Sequence, residues 1–103
     1  GLWAQRRPEE DGGGLRAAGD SVTLSCRGSS GTFEGYTVRW YRQAPGGSLE
    51  WVSTISYSGS VKEYGAAVEG RATASQDGSQ SALSLRALHP RDSARYFCTF
   101  DTE

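Results

Sequence analysis

Cys26 and Cys98 are the only cysteines of the chain, and the distance between them constrains its fold more than any other feature. Neither has a second cysteine nearby or a histidine at metal-ligand spacing. The single histidine, His89, is followed by a proline. A zinc site needs three or four nitrogen or sulfur ligands, which this chain cannot readily supply. A disulfide is the better reading, and it implies an oxidising compartment. Closing so long a loop stabilises a fold by roughly 4 kcal/mol in the chain-entropy model. Against the marginal stability of a small domain that is a large share.

The share matters because the core is lean. A chain of 103 residues makes one domain, and only 36% of it is hydrophobic. The net charge of −1 and the scattered arginines imply neither nucleic acid nor an anionic membrane surface as a partner. No apolar run approaches the roughly 18 residues of a membrane span, so no direct membrane insertion is expected. The opening residues "GLWA" fit two readings, the tail of a signal peptide just before its cleavage site or an ordinary terminus. The first gives a division into a leader remnant at 1–4 and one domain at 5–103.

Helical periodicity is nearly absent. Alternation of apolar and polar residues is common, and glycine, serine and proline punctuate it at short intervals, which is the pattern of an all-β sandwich or barrel. "SVTLSC" (21–26) turns Val22, Leu24 and Cys26 inward, and "TVRWYRQ" (37–43) turns Val38 and Trp40 inward. "APGG" (44–47) is a turn, and "LEWVSTIS" (49–56) is the return strand. "YSGS" (57–60) is a hairpin tip, continued by "VKEYG" (61–65). "RATASQ" (71–76) and "SALSLRAL" (81–88) form a further pair around "DGS" (77–79). "HPRDSA" (89–94) is a polar bend with a short helical turn, and "RYFCTF" (95–100) is the last strand. The stretch 11–20, with Gly12 to Gly14, reads as a loose edge segment.

Cys26, Trp40 and Cys98 form a Cys…Trp…Cys framework, with Tyr96 two residues before the second cysteine. With "WYRQAPGGSLEWV" (40–52) and "DSARYFC" (92–98), this resembles the immunoglobulin variable domain. Its fold is a V-type, Greek-key β-sandwich in which the tryptophan packs on the inter-sheet disulfide and the tyrosine makes a corner hydrogen bond. The order and spacing of "GGGL" (12–15), "LSC" (24–26), "RQAPG" (42–46), "LEWVS" (49–53) and "EGRAT" (69–73) resemble heavy-chain variable segments. "YGAAVEGRAT" (64–73) and "LSLRALHPRDSARYFC" (83–98) look most like avian ones. The resemblance covers about residues 5–99. It implies a salt bridge between Arg71 and Asp92 at the base of the sandwich, and it places Glu10 near the disulfide.

Departures from the family pattern accompany the match. Pro8 stands where the first strand usually has leucine, which weakens that edge. Gly31 replaces an aromatic of the first loop, while Phe33 is kept. Ala72 and Ala74 thin the core, and the turn around "DGSQS" (77–81) looks short. Nothing after "CTFDTE" (98–103) matches the family's third hypervariable loop or its last strand, strand G, with the aromatic-glycine-x-glycine motif. The sandwich is therefore expected to be truncated after strand F, lacking strand G, with an open edge on the last strand. Both termini fit translation of an unrearranged germline variable exon.

No constellation for catalysis is present. A hydrolase needs a base beside its nucleophile, and His89 reads as an exposed bend residue. "DGGGL" (11–15) is not a phosphate loop, since no GK[ST] comes after it. Neither cofactor nor metal is implied, and without asparagine the chain cannot carry an N-linked glycan.

What the resemblance implies is binding. The first antigen loop maps onto Thr32, Phe33, Glu34, Gly35, Tyr36 and Thr37, with Glu34 and Tyr36 as contacts. The second maps onto Ser56, Tyr57, Ser58, Gly59, Ser60, Val61 and Lys62, with Tyr57 at its tip. Tyrosine, serine and glycine suit such loops, though "YSGS" is also good turn chemistry. On the outward face of the 40–52 hairpin, Tyr41, Gln43, Leu49, Trp51 and Phe97 would pack on a light-chain variable domain. Gln43 would make a reciprocal amide pair. Arg39 lies at the inner edge of this face with no partner assigned. The implied function is antigen binding outside the cell, as part of a secreted or membrane-anchored receptor. Two other readings fit the same residues: a non-rearranging V-type receptor domain, and a non-functional germline segment.

Overall fold

The computed structural model describes residues 2–6, 19–27, 35–77 and 80–102. Among these residues the chain forms β1 (Leu2–Arg6), β2 (Val22–Arg27), β3 (Tyr36–Gln43), β4 (Leu49–Ile55), β5 (Lys62–Tyr64), β6 (Ala72–Asp77), β7 (Gln80–Leu85) and β8 (Arg95–Thr102). A 3-10 turn at Pro90–Asp92 fills the bend before β8, where the proline supplies a preset φ and needs no amide partner. None of the described residues is α-helical. Pro8, Glu10, Gly31, Thr32, Phe33 and Glu34 lie outside the described residues.

The strands make two antiparallel sheets. One has the order β1-β8-β3-β4-β5 and the other the order β2-β7-β6. Period-two alternation explains their facing. On β2, Val22, Leu24 and Cys26 are buried while Thr23 is exposed. On β7, Ser81, Leu83 and Leu85 are buried, and on β6 Ala72 and Ala74. From the larger sheet come Val38, Trp40, Val52, Ile55, Tyr96, Cys98 and Phe100. Trp40 and Tyr96 are the bulkiest of the fully buried side chains and share the core with the two alanines. The Cys26–Cys98 disulfide joins β2 to β8, its Cα atoms 6.4 Å apart, and Trp40 on β3 lies directly opposite Cys98 on β8.

Simple alternation fails in one place. Trp40 faces Ser53 and Tyr41 faces Trp51, so Val52 is an extra residue on β4 and the register shifts between Trp40 and Tyr41. A bulge of this kind lets Val52 and Ser53 both turn inward. It also keeps Trp51 on the outer face beside Tyr41. β6 and β7 pair antiparallel in a ladder that ends with Asp77 opposite Gln80.

One expectation is overturned. The last described strand, β8, does not present an open edge: β1 runs antiparallel along it, with Leu2 opposite Phe100 and Arg6 opposite Tyr96. The place beside β8 expected to be empty is filled by the start of the same chain. An unpaired row of amides and carbonyls is an unfavourable edge, and any segment long enough to reach it can satisfy it through its own backbone.

Candidate functional site

The sandwich carries two outward-facing surfaces and, at its base, a charge cluster that holds the sheets in place. The cluster is built on Asp92, which the 3-10 turn projects inward. Its side chain is 3% exposed and its carboxylate receives four N–H groups. Oδ1 accepts from Arg42 Nη1 at 2.8 Å and Arg71 Nη2 at 3.1 Å. Oδ2 accepts from Arg71 Nη1 at 2.8 Å and from the His89 main-chain N–H at 2.8 Å. A carboxylate offers about four acceptor positions, so this one is saturated.

Arg71 also donates to the carbonyls of Ala67, Arg86 and Ala87, which ties these segments of chain to one guanidinium. The second arginine, Arg42, is not singled out by its motif. Alternation places it on the inward side of β3 with Trp40, and that is the signal the sequence offers. Besides Asp92 it donates to Tyr96 Oη at 3.1 Å and, through Nε, to Glu50 Oε1 at 2.6 Å. Tyr96 completes the corner by donating its hydroxyl proton to the Asp92 carbonyl at 2.8 Å.

Burial opposes charge on Asp92, but the hydrogen bonds from Arg71, His89 and Arg42 outweigh it and hold the carboxyl well below the usual carboxylate range. Burial also opposes the Arg42 charge, and the bonds to Glu50, Tyr96 and Asp92 reverse that and raise its pKa. Arg71 is raised chiefly by its bond to Asp92. The Tyr96 hydroxyl is pushed up by burial. The Arg42, Arg71 and Asp92 side chains are thus fully ionised across the neutral range, and the cluster has no proton to exchange in a reaction. Among the described residues no group of His, Cys, Asp and Glu is placed to hold a metal ion.

The first outward surface is the face of β3, β4 and β8. Tyr41 lies between Trp51 on β4 and Phe97 on β8, and Gln43 lies between Leu49 and Arg95. Leu49 is 50% exposed and Trp51 38%, high for large apolar side chains. The Trp51 indole N–H donates to Thr54 Oγ1 at 3.0 Å, which fixes the ring against the sheet. The Gln43 amide donates to the Gly47 carbonyl at 3.0 Å and braces its own turn. Toward the loops, Arg39 finds its partner in Asp101, with Nη1 3.0 Å from Oδ2.

The second surface is the loop end. Ser56 to Lys62 form a hairpin tip between β4 and β5. The Gly59 N–H donates to the Ser56 carbonyl at 2.9 Å, and Gly59 has φ +77°, a conformation that favours glycine. The Val61 N–H donates to Ser56 Oγ at 3.1 Å and the Ser60 N–H to Ser58 Oγ at 3.3 Å. Ser58 and Ser60 share a hydrogen bond of 2.7 Å. The serines order the loop by bonding one another, and Tyr57 and Val61 stand out from it, 42% and 50% exposed. Of the first loop, Gly35, Tyr36 and Thr37 are described. Tyr36 packs partly against the core and Thr37 is half-buried.

A family model of the immunoglobulin V-set domain matches residues 15–103, most of the chain.

Proposed function

The chain belongs to the immunoglobulin V-set domain family, and on that premise we propose that it is the heavy-chain variable segment of an antigen-binding receptor of adaptive immunity. The domain is a non-catalytic binding module, and V-set domains typically pair with other immunoglobulin domains. A disulfide-bonded domain of this kind belongs to the secretory pathway or the extracellular space.

One observation carries the reading beyond the family: Leu49 and Trp51 are exposed side by side with Tyr41, Gln43 and Phe97. Contiguous apolar surface on a small domain marks a partner site. Aromatic anchors held rigidly, as Trp51 is held by Thr54, are the usual hot spots of such sites. The partner of this face is a light-chain variable domain. The antigen is met by Tyr57, Val61 and the rest of the 56–62 tip, together with the 32–37 loop.

The test is association with a light-chain variable domain, followed by analytical ultracentrifugation and calorimetry. Trp51→Ser with Leu49→Glu is expected to weaken pairing at least tenfold and leave the thermal midpoint within about two degrees. Pairing undiminished by these changes would remove the basis for the assignment.

A further inference from the structure

We propose that Arg39 selects the pairing partner: the domain that covers the outward face of β3, β4 and β8 sets a carboxylate opposite its guanidinium. The inference rests on the pairing reading above and adds a chemical requirement to it. Arg39 stands on the central strand of the larger sheet, on the same side as Tyr41 and Gln43, because side chains alternate along a strand. Its cross-strand neighbours are neutral, Thr54 on β4 and Thr99 on β8. The next outward row is the aromatic one of Trp51, Tyr41 and Phe97. The Trp51 indole N–H is bonded to Thr54 at 3.0 Å, so the two rows are parts of one surface.

The guanidinium is incompletely used. Its Nη1 donates to Asp101 Oδ2 at 3.0 Å, and each of the two side chains is 39% exposed. Among the described residues Asp101 is the one hydrogen-bond partner of this side chain. A guanidinium carries several N–H groups in a planar fork, and those on Nε and Nη2 are left for water. Asp101 is engaged elsewhere as well. The pair thus offers an incoming surface unused donors, fixed in place by the bond to Asp101.

A partner on this face displaces that water. Successive outward positions on a strand are ~7 Å apart. A stable interface covers about 800 Å² of each partner, a patch roughly 30 Å across. A patch centred on Tyr41 therefore covers Arg39 too. A desolvated guanidinium with unanswered N–H groups opposes binding. A carboxylate answers it best, because its two oxygens match the fork. A cation at that place is repelled, and an apolar side chain leaves the donors unmet. The aromatic row supplies contact area to any suitable domain, and Arg39 sorts those domains by charge.

A light-chain variable domain, randomised at the outward positions of its own pairing sheet and displayed on phage, is selected on the full chain and on its Arg39→Gln variant. Asp or Glu at one randomised position is expected to be enriched at least fivefold on the natural chain and not on R39Q. A clone so selected should bind the natural chain at least tenfold more tightly than R39Q. Changing its carboxylate to the amide should cost the same factor, and that measurement leaves this chain untouched should R39Q fold poorly. Clones that bind both chains equally, with no acidic preference, overturn the proposal and leave the pairing reading standing. Enrichment of Lys or Arg assigns recognition to Asp101 and overturns it as well. If neither chain selects a clone, or if binding survives Trp51→Ser with Leu49→Glu, the pairing reading itself has failed and the requirement falls with it.

Discussion

Arg42 Nη1 and Asp92 Oδ1 meet at 2.8 Å, with 5% and 3% of their side chains exposed. A pair so deeply buried loses most of its hydration, and the loss is offset only because the other donors and acceptors around it are used. Glu50, Tyr96, Arg71 and the His89 N–H supply those partners. The pair joins β3 to the bend before β8 and so fixes how the two strands that carry Tyr41 and Phe97 meet.

Replacing Asp92 with Asn leaves Arg42 buried beside a neutral group and deprives Arg71 of its main anchor. The expected loss is about 3–5 kcal/mol of unfolding free energy, the range for breaking a buried pair on one side. Urea denaturation followed by tryptophan fluorescence measures it. A loss below about 1 kcal/mol would mean that the cluster contributes little.

The same carboxylate sets the acid limit of stability. Its folded pKa is depressed below the ordinary value of 3.8. Its contribution is complete above that value and is lost as the pH falls toward the folded pKa, because the unfolded chain takes up a proton that the folded chain refuses. The stability difference between the natural chain and Asp92→Asn should be constant from pH 7 to 5. Below about pH 3.8 it should shrink by about 1.4 kcal/mol per pH unit. A difference that stays constant down to pH 3 would contradict the depressed pKa.

Gly65 sits where the chain leaves β5, its N–H donating to the Val52 carbonyl at 2.8 Å. A Cβ at this position would lie 2.8 Å from the Trp51 carbonyl oxygen, a backbone atom that cannot swing aside. Gly65→Ala should therefore destabilise by about 1–3 kcal/mol, as overpacking does elsewhere. It should also disturb amide exchange on β4 and β5 before that on β2. A thermal midpoint equal to that of the natural chain would show that the backbone yields freely.

Ala87 has φ +50°, left-handed for a residue with a side chain, and its carbonyl accepts from Arg71 at 3.3 Å. That conformation costs about 1–2 kcal/mol for an L-residue. Ala87→Gly relieves it but loosens the unfolded chain, which takes back about 0.4–1 kcal/mol. The net expectation is a gain of about 0.5 kcal/mol in chemical denaturation, and a clear loss would show that the strain is absent.

Much of this molecule is legible in its sequence. Apolar residues at alternate positions place Val22, Leu24 and Cys26 inward because a pleated strand sends successive side chains to opposite faces. The same rule separates Trp40 from Trp51. It also turns Arg42 inward, but alternation says only that a side chain enters the core. Hydrogen bonds to Glu50, Asp92 and Tyr96 explain how a charge can stay there, and Asp92 and Tyr96 are remote in sequence. Ser53 is hidden by the bulge, since one extra residue on β4 reverses the facing of every position beyond it.

By itself the sequence determined what local periodicity and turn chemistry can encode: the strands, the inward faces, the tight turns, and a single pair of cysteines able to join two sheets. Tertiary structure alone decided which strand lies beside β8, how Arg39 finds Asp101, and how one carboxylate gathers two arginines. The physical reason is that backbone edges carry no side-chain label. Any extended segment can satisfy them, and the choice falls to what the folded chain brings within reach. For this protein the segment that reaches β8 is Leu2–Arg6, at the far end of the chain from the edge it covers.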